Sequence, residues 1–305
     1  MNFRMMIQLE GRPISMNSAN TTAPEVNLNS GSGHTTEELA NMLKNLRLSA
    51  MAEALMASTS DPKFQEMGFN DQLYELLATE NSRRRTNTYL RRKKASNAVS
   101  SASQELIIER KASYHLTRTK IDYLMSCEWI TNRTLILIVG KCGCGKSDLA
   151  AAIVDSACRQ GLKALCVDFE KLIVDLVSTR KRTDSPDLYE KMKASYSKYD
   201  LLFIDDVCIE NSIEGAAYVF KDLLELYRNG KSKCGLILAS QLKPSKWYSR
   251  LGGTRETCDA VVDRVLSNYE LISLDGRSHR SGRPNNNEKD GTPADCSLNE
   301  ESQNE

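Results

Sequence analysis

The chain has 305 residues and 34.1 kDa, room for two domains of ordinary size or one domain with long tails. Hydrophobic residues make up 40%, and no run approaches the roughly 20 apolar residues that span a bilayer, which excludes an integral membrane protein. Charges balance at 41 Lys+Arg against 40 Asp+Glu, which excludes a globally basic packaging protein but not a local basic patch.

Residues 1–33 are rich in Asn, Ser, Thr and Gly and lack periodicity, so a disordered tail is expected. The apolar stretch in MNFRMMIQLEGRP is too short for a signal peptide and no small-residue cleavage pattern follows it. Nine scattered cysteines suggest reduced thiols and a cytoplasmic location. His34, His115 and His279 do not cluster, which argues against a histidine metal site. From Thr36 the pattern turns helical. Leu39, Met42, Leu43, Leu46, Ala50, Met51, Ala54 and Leu55 recur on one face, and Thr35 with Glu38 forms a capping arrangement. Asp61-Pro62 breaks this helix. A second runs through Leu73, Leu76 and Leu77 into SRRRTNTYLRRKK at 82–94, and Leu106–Arg110 and Ile121–Trp129 read as further helices. Residues 36–130 therefore read as an all-helical N-terminal domain for DNA binding or oligomerisation.

At Thr134 the period changes. TLILIV (134–139), ALCVDF (164–169), DLLFID (200–205), GLILAS (235–240) and YELISL (269–274) are continuous apolar runs, as strands buried on both faces require. Helical segments at 146–160, 170–181, 187–197 and 214–228 separate them. Strands alternating with helices predict a parallel five-stranded α/β sheet over 131–280. Residues 281–305 hold two basic and six acidic residues and read as a disordered acidic tail.

The sharpest motif is Gly140-Lys141-Cys142-Gly143-Cys144-Gly145-Lys146-Ser147, which fits GxxxxGK[ST] between a buried strand and an amphipathic helix. Its backbone amides would cradle phosphate oxygens at the helix N-terminus. Lys146 would reach the β- and γ-phosphates, and the Ser147 hydroxyl would ligate Mg²⁺, which prefers hard oxygen ligands. A bare glycine-rich turn leaves Lys146-Ser147 unexplained. Cys142 and Cys144 read as small loop residues rather than redox sensors, and Asp148 follows in the same nucleotide-facing turn.

LLFIDD ends in Asp205-Asp206 and matches a Walker B strand. Asp205 would hold Mg²⁺ and Asp206 would orient or deprotonate the attacking water; the alternative is two acids capping a strand. LILASQ ends in Gln241, a candidate to face the γ-phosphate, with an ordinary turn residue as the alternative. Arg264, late in the domain, could complete a neighbour's nucleotide site; from the residues alone, a solvated arginine with a local salt bridge is the stronger reading.

Between Glu80 and Lys120 lie 11 basic and 3 acidic residues, a net of +8. Arg83, Arg84, Arg85, Arg91, Arg92, Lys93 and Lys94 fall within 12 residues without an acid. Such a cluster repels itself and a polyanion neutralises it, so duplex DNA is the expected partner, met mainly through its backbone.

GKCGCGKSDLA, LLFIDDV, ILASQLKPSKWY and DAVVDRVLSNYELISLDGRSHR, with the N-terminal LKNLRLSAMAEAL and LLATENSRRRTNTYLRRKKA, resemble the IstB-like helper ATPases of bacterial insertion sequences, relatives of the DnaC helicase loaders. The resemblance covers about 36–280. It implies an AAA+ type P-loop core binding ATP and Mg²⁺, ATP-dependent self-assembly on DNA, hydrolysis to ADP and phosphate, and an IstA-like transposase partner. It also implies a sensor-like Gln241, Arg264 as the finger, and Arg280 of the closing SxR motif near the nucleotide. Departures are Cys142 and Cys144 where the family carries Pro and Thr, and Asp148 where it carries a neutral group; that extra negative charge would weaken nucleotide binding. A DnaC-like helicase loader shares the core and stays an alternative, as does a nucleotide-binding scaffold without turnover. A small-molecule kinase would need an acceptor pocket and an arginine-bearing lid, and neither is present in the sequence.

Overall fold

The structure, a computed structural model, describes residues 33–98, 102–110, 114, 116–182, 187–209, 213–229 and 234–274. Nearly all of both expected tails, and Arg280, lie outside the described residues. Among the described residues no helix is long and apolar enough to cross a membrane.

The chain divides into two compact units between Asn81 and Ser82. The first is helical: α1 (Thr36–Asn45), α2 (Ser49–Ser58), α3 (Pro62–Glu66) and the opening half of α4 (Phe69–Ala95). Thr35 accepts from the Glu38 amide at 3.2 Å and the Thr35 amide donates to Glu38 at 3.1 Å, the reciprocal cap that the sequence suggests. The residue before α2, Leu48, has no capping side chain. The buried Glu80 carboxylate of α4 takes that place, accepting from the Ala50 and Met51 amides at 2.9 and 3.1 Å. An acid at a helix N-terminus satisfies its orphan amides and its dipole together.

The second unit contains the rest of α4, then α5 (Gln104–Glu109), α6 (Arg118–Ser126), β1 (Leu135–Gly140), α7 (Lys146–Arg159), β2 (Ala164–Asp168), α8 (Phe169–Arg180), α9 (Asp187–Tyr196), β3 (Leu201–Asp205), α10 (Ala216–Asn229), β4 (Gly235–Ser240), α11 (Arg255–Leu266) and β5 (Tyr269–Leu274). The boundary differs from a helical domain ending at 130, because α5 and α6 pack against α7. Every strand pairing is parallel and the sheet order is β2-β3-β4-β1-β5. Strand β4 thus separates β1, which feeds the phosphate loop, from β3.

The apolar runs are continuous because both faces of the sheet are covered. Leu135, Leu137, Leu202, Ile204, Leu236 and Leu238 pack into one core with α8, α10 and α11. The alternating Ile136, Ile138, Leu201, Phe203 and Ile237 pack into the other with α5, α6 and α7. This is a parallel five-stranded α/β fold, with a phosphate-loop motif after its β1 strand, preceded by helices. The reading of the sequence omits α11, although Thr254 caps it and Cys258, Val261, Val262 and Val265 bury one stripe.

Candidate nucleotide site

Strand β1 ends at Gly140, where the backbone passes so close to β5 that a Cβ would sit 2.5 Å from the Leu274 carbonyl and 2.6 Å from Cys144 Sγ. Gly145 begins α7 at φ +90°, a conformation that L side chains avoid, and a Cβ there would strike the Tyr114 ring. Cys144 is buried beneath the loop and Cys142 is exposed on it. The loop curls around a cavity of about 750 Å³, within the usual range for a small-molecule site. Cys142, Gly143, Gly145, Lys146, Ser147 and Asp148 line it on one side, Asp205, Asp206 and Gln241 on another.

Lys146 is only 5% exposed and its Nζ donates to the Lys141 carbonyl at 3.1 Å, so the ammonium lies folded over the loop. Ser147 Oγ donates to Asp205 Oδ2 at 2.7 Å across 58 residues of sequence. Asp205 Oδ1 accepts from the Asp206 amide at 2.9 Å. Asp206 and Cys208 take φ +54° and +57°, a tight turn at the strand end. The hydroxyl–carboxylate pair offers hard oxygens, the glycine cradle leaves space that a Cβ would fill, and Lys146 is the ammonium beside both. That donor set fits a magnesium-bound triphosphate.

Gln241 is fixed by a relay. Val207 N–H donates to the Ala239 carbonyl at 2.8 Å, and the fully buried Ser240 hydroxyl donates to the Val207 carbonyl at 2.6 Å. Ser240 Oγ accepts from the Leu242 amide at 3.1 Å, and the buried Trp247 indole donates to the Leu242 carbonyl at 3.1 Å. The turn bearing Gln241 is therefore locked to the turn bearing Asp206.

Among the cavity residues that the sequence reading did not assign to the site, three come from segments before the phosphate loop. Asn97 and Ala98 follow α4, and Arg110 ends α5; none belongs to a motif. Arg110 Nη1 stands 3.0 Å from Asp148 Oδ2. Ser240 and Trp247 do fall inside ILASQLKPSKWY, and a buried hydroxyl and indole near a strand end are the signal that could have found them.

Arg264 is not brought to its own chain's cavity. It donates to the Ala260 carbonyl at 2.9 Å and lies 3.6 Å from Glu225. With Arg133 and Arg228 it lines a separate cavity of about 250 Å³, beside the residues that open β1 and β5 and so at the end of the sheet away from the loop. The seven basic residues also divide. Arg83, Arg84, Arg85, Arg91 and Lys94 are exposed, whereas Arg92 and Lys93 are half-buried. Arg92 lies against Gly161, and Lys93 Nζ is ion-paired to the buried Asp155 at 2.5 Å.

The model of the IstB-like ATP binding protein family matches residues 41–286. An insertion-sequence ATP-binding protein of Sinorhizobium fredii is 28% identical over 240 residues, 79% of this chain and 93% of that protein. The ATP-binding protein of insertion sequence IS1162 from Pseudomonas fluorescens is 30% identical over 211 residues, 69% of this chain and 88% of its own length. Among solved structures, AMPPCP-bound DnaA from Aquifex aeolicus is 21% identical over 58% of this chain and 51% of that chain, with a TM-score of 0.45. The family match takes in the first helices, the phosphate loop and the whole sheet, and the chain belongs to the IstB-like ATP binding protein family.

Proposed function

We propose that this protein is an ATP-hydrolysing helper that assembles on duplex DNA in the cytoplasm and regulates a partner transposase of an insertion sequence. The observation that carries the reading is the 2.7 Å contact between Ser147 and Asp205, which joins the phosphate loop to the Walker B strand above a cavity of nucleotide size. Family membership and relatives named for insertion sequences supply the context.

In this reading the loop amides and Lys146 hold the β- and γ-phosphates, and Ser147 and Asp205 hold Mg²⁺. The metal, when bound, draws charge off the phosphate oxygens. Asp206 and Gln241 position water for in-line attack, and the Ser240 relay keeps their spacing. Arg264, remote from its own cavity, acts on the nucleotide of a neighbouring copy, so the triphosphate joins subunits. Arg83, Arg84, Arg85, Arg91 and Lys94 present exposed charge to the DNA backbone.

Electron microscopy and sedimentation with duplex DNA test this directly. The wild type should form ordered assemblies on DNA with ATP and none without it, and Lys146→Ala should form none under either condition. Assembly by Lys146→Ala equal to that of the wild type overturns the proposal. A preference for single strands together with binding to a replicative helicase would redirect it to a helicase loader.

A further inference from the structure

Asp148 stands in the first turn of α7, immediately after Ser147. A carboxylate in that turn suits the helix dipole. It also lines the cavity that Lys146 and Ser147 line, where it would face the negative oxygens of a bound polyphosphate. A bare carboxylate at this place works against the site, because like charges at a few ångströms repel strongly away from bulk water.

Arg110 answers that charge. Its Nη1 lies 3.0 Å from Asp148 Oδ2, both side chains are 31% exposed, and both face the cavity. The arginine comes from the end of α5, 38 residues earlier, so the pair is made by the fold and not by helix spacing. Behind it lies Tyr114, which is fully buried, rests against Gly145 and donates its amide to the Arg110 carbonyl at 3.1 Å. A guanidinium has five N–H donors in a fixed fork and stays charged at any physiological pH, so it serves as a permanent counter-charge.

We propose that Arg110 belongs to the nucleotide site as the counter-ion of Asp148: it cancels the carboxylate that would otherwise repel the phosphates, and so sets the preference of this loop for nucleotides with more phosphates. The proposal rests on the reading of the cavity as a nucleotide site. It makes Arg110 a positioning and electrostatic residue rather than a catalytic one.

A double-mutant cycle tests it, with calorimetric titration of a non-cleavable ATP analogue, ADP and AMP under magnesium. Arg110→Ala should bind the ATP analogue about tenfold more weakly, with a smaller loss for ADP and the smallest for AMP, and the loss should shrink at high salt. Asp148→Asn should bind at least as tightly as the wild type. Arg110→Ala with Asp148→Asn should return to within about threefold of Asp148→Asn alone, since removing both charges removes the conflict. Thermal unfolding of each variant checks that the fold is kept, and Arg110→Gln replaces Arg110→Ala if the latter does not fold. The proposal is overturned if Arg110→Ala binds like the wild type, if the double variant is as weak as Arg110→Ala, or if the loss is the same for all three nucleotides. Failure of the nucleotide reading itself looks different: the wild type would then bind no analogue, and Lys146→Ala would change nothing.

Discussion

The Tyr89 hydroxyl donates a 2.6 Å hydrogen bond to the Asp155 carboxylate, tying the basic half of α4 to the helix that follows the phosphate loop. Lys93 reaches the same carboxylate at 2.5 Å and Arg159 at 2.8 Å. A few residues on, the Cys166 amide donates to the Ser96 carbonyl at 2.7 Å, so the end of α4 also holds the edge strand β2. Asn97 then turns at φ +55° and, with Ala98, enters the wall of the nucleotide cavity. The basic half of α4 is thus fastened to α7 and, just past its end, to β2.

Asp155→Asn should destabilise the protein by about 2–4 kcal/mol, because three hydrogen-bonded partners lose a buried charge. Burial pushes the Asp155 carboxyl up, but hydrogen bonds from Lys93, Tyr89 and Arg159 outweigh it and hold the pKa below the ordinary 3.8. A lowered carboxylate pKa stabilises the fold above its unfolded value, and that contribution is lost as pH falls through the folded value. The stability gap between wild type and Asp155→Asn should therefore be constant from pH 7 to about 5 and close below about 4. Chemical denaturation across this range measures it.

The basic residues should separate by role. Replacing Arg83, Arg84 or Arg85 with Ala should weaken duplex binding and reduce the slope of log affinity against log salt by about 0.9 for each DNA phosphate left without its cation. Lys93→Ala should lower the melting temperature and leave that slope unchanged, since its ammonium neutralises Asp155. Salt titrations and thermal scans on the same variants distinguish the two.

Gly145→Ala should abolish nucleotide binding. The alanine would have to adopt φ +90° and displace the Tyr114 ring, and left-handed backbone costs a residue with a Cβ about 1–2 kcal/mol before any collision is counted. Calorimetry with the ATP analogue should show no heat, while circular dichroism should show the helices intact.

Ser240→Ala should reduce turnover more than nucleotide affinity. Its hydroxyl is buried, and its removal leaves the Val207 carbonyl and the Leu242 amide without that partner, at a cost of about 1–3 kcal/mol. The turns bearing Asp206 and Gln241 would then drift apart, whereas the hydroxyl's hydrogen bonds run to Val207 and Leu242 and not to the phosphate loop. A steady-state ATPase assay beside a binding titration resolves the split; equal reductions in both would count against the relay.

By itself the sequence determined most of what depends on neighbours along the chain: five strands within about a residue of their observed limits, the helices between them other than α11, the Thr35–Glu38 cap and the phosphate loop. Periodicity and turn chemistry are local, so they can be read one segment at a time. Tertiary structure alone decided how distant segments meet. It inserted β4 between β1 and β3, set Ser147 against Asp205, gave Asp148 the partner Arg110, and took Lys93 out of the exposed basic stripe to neutralise Asp155. It also put Arg264 at the far end of the sheet from its own chain's cavity. The physical reason is that a charge cluster or an acid after a loop motif has the same one-dimensional signature whether its counter-charge is water, DNA or a side chain tens of residues away, and only packing chooses among them.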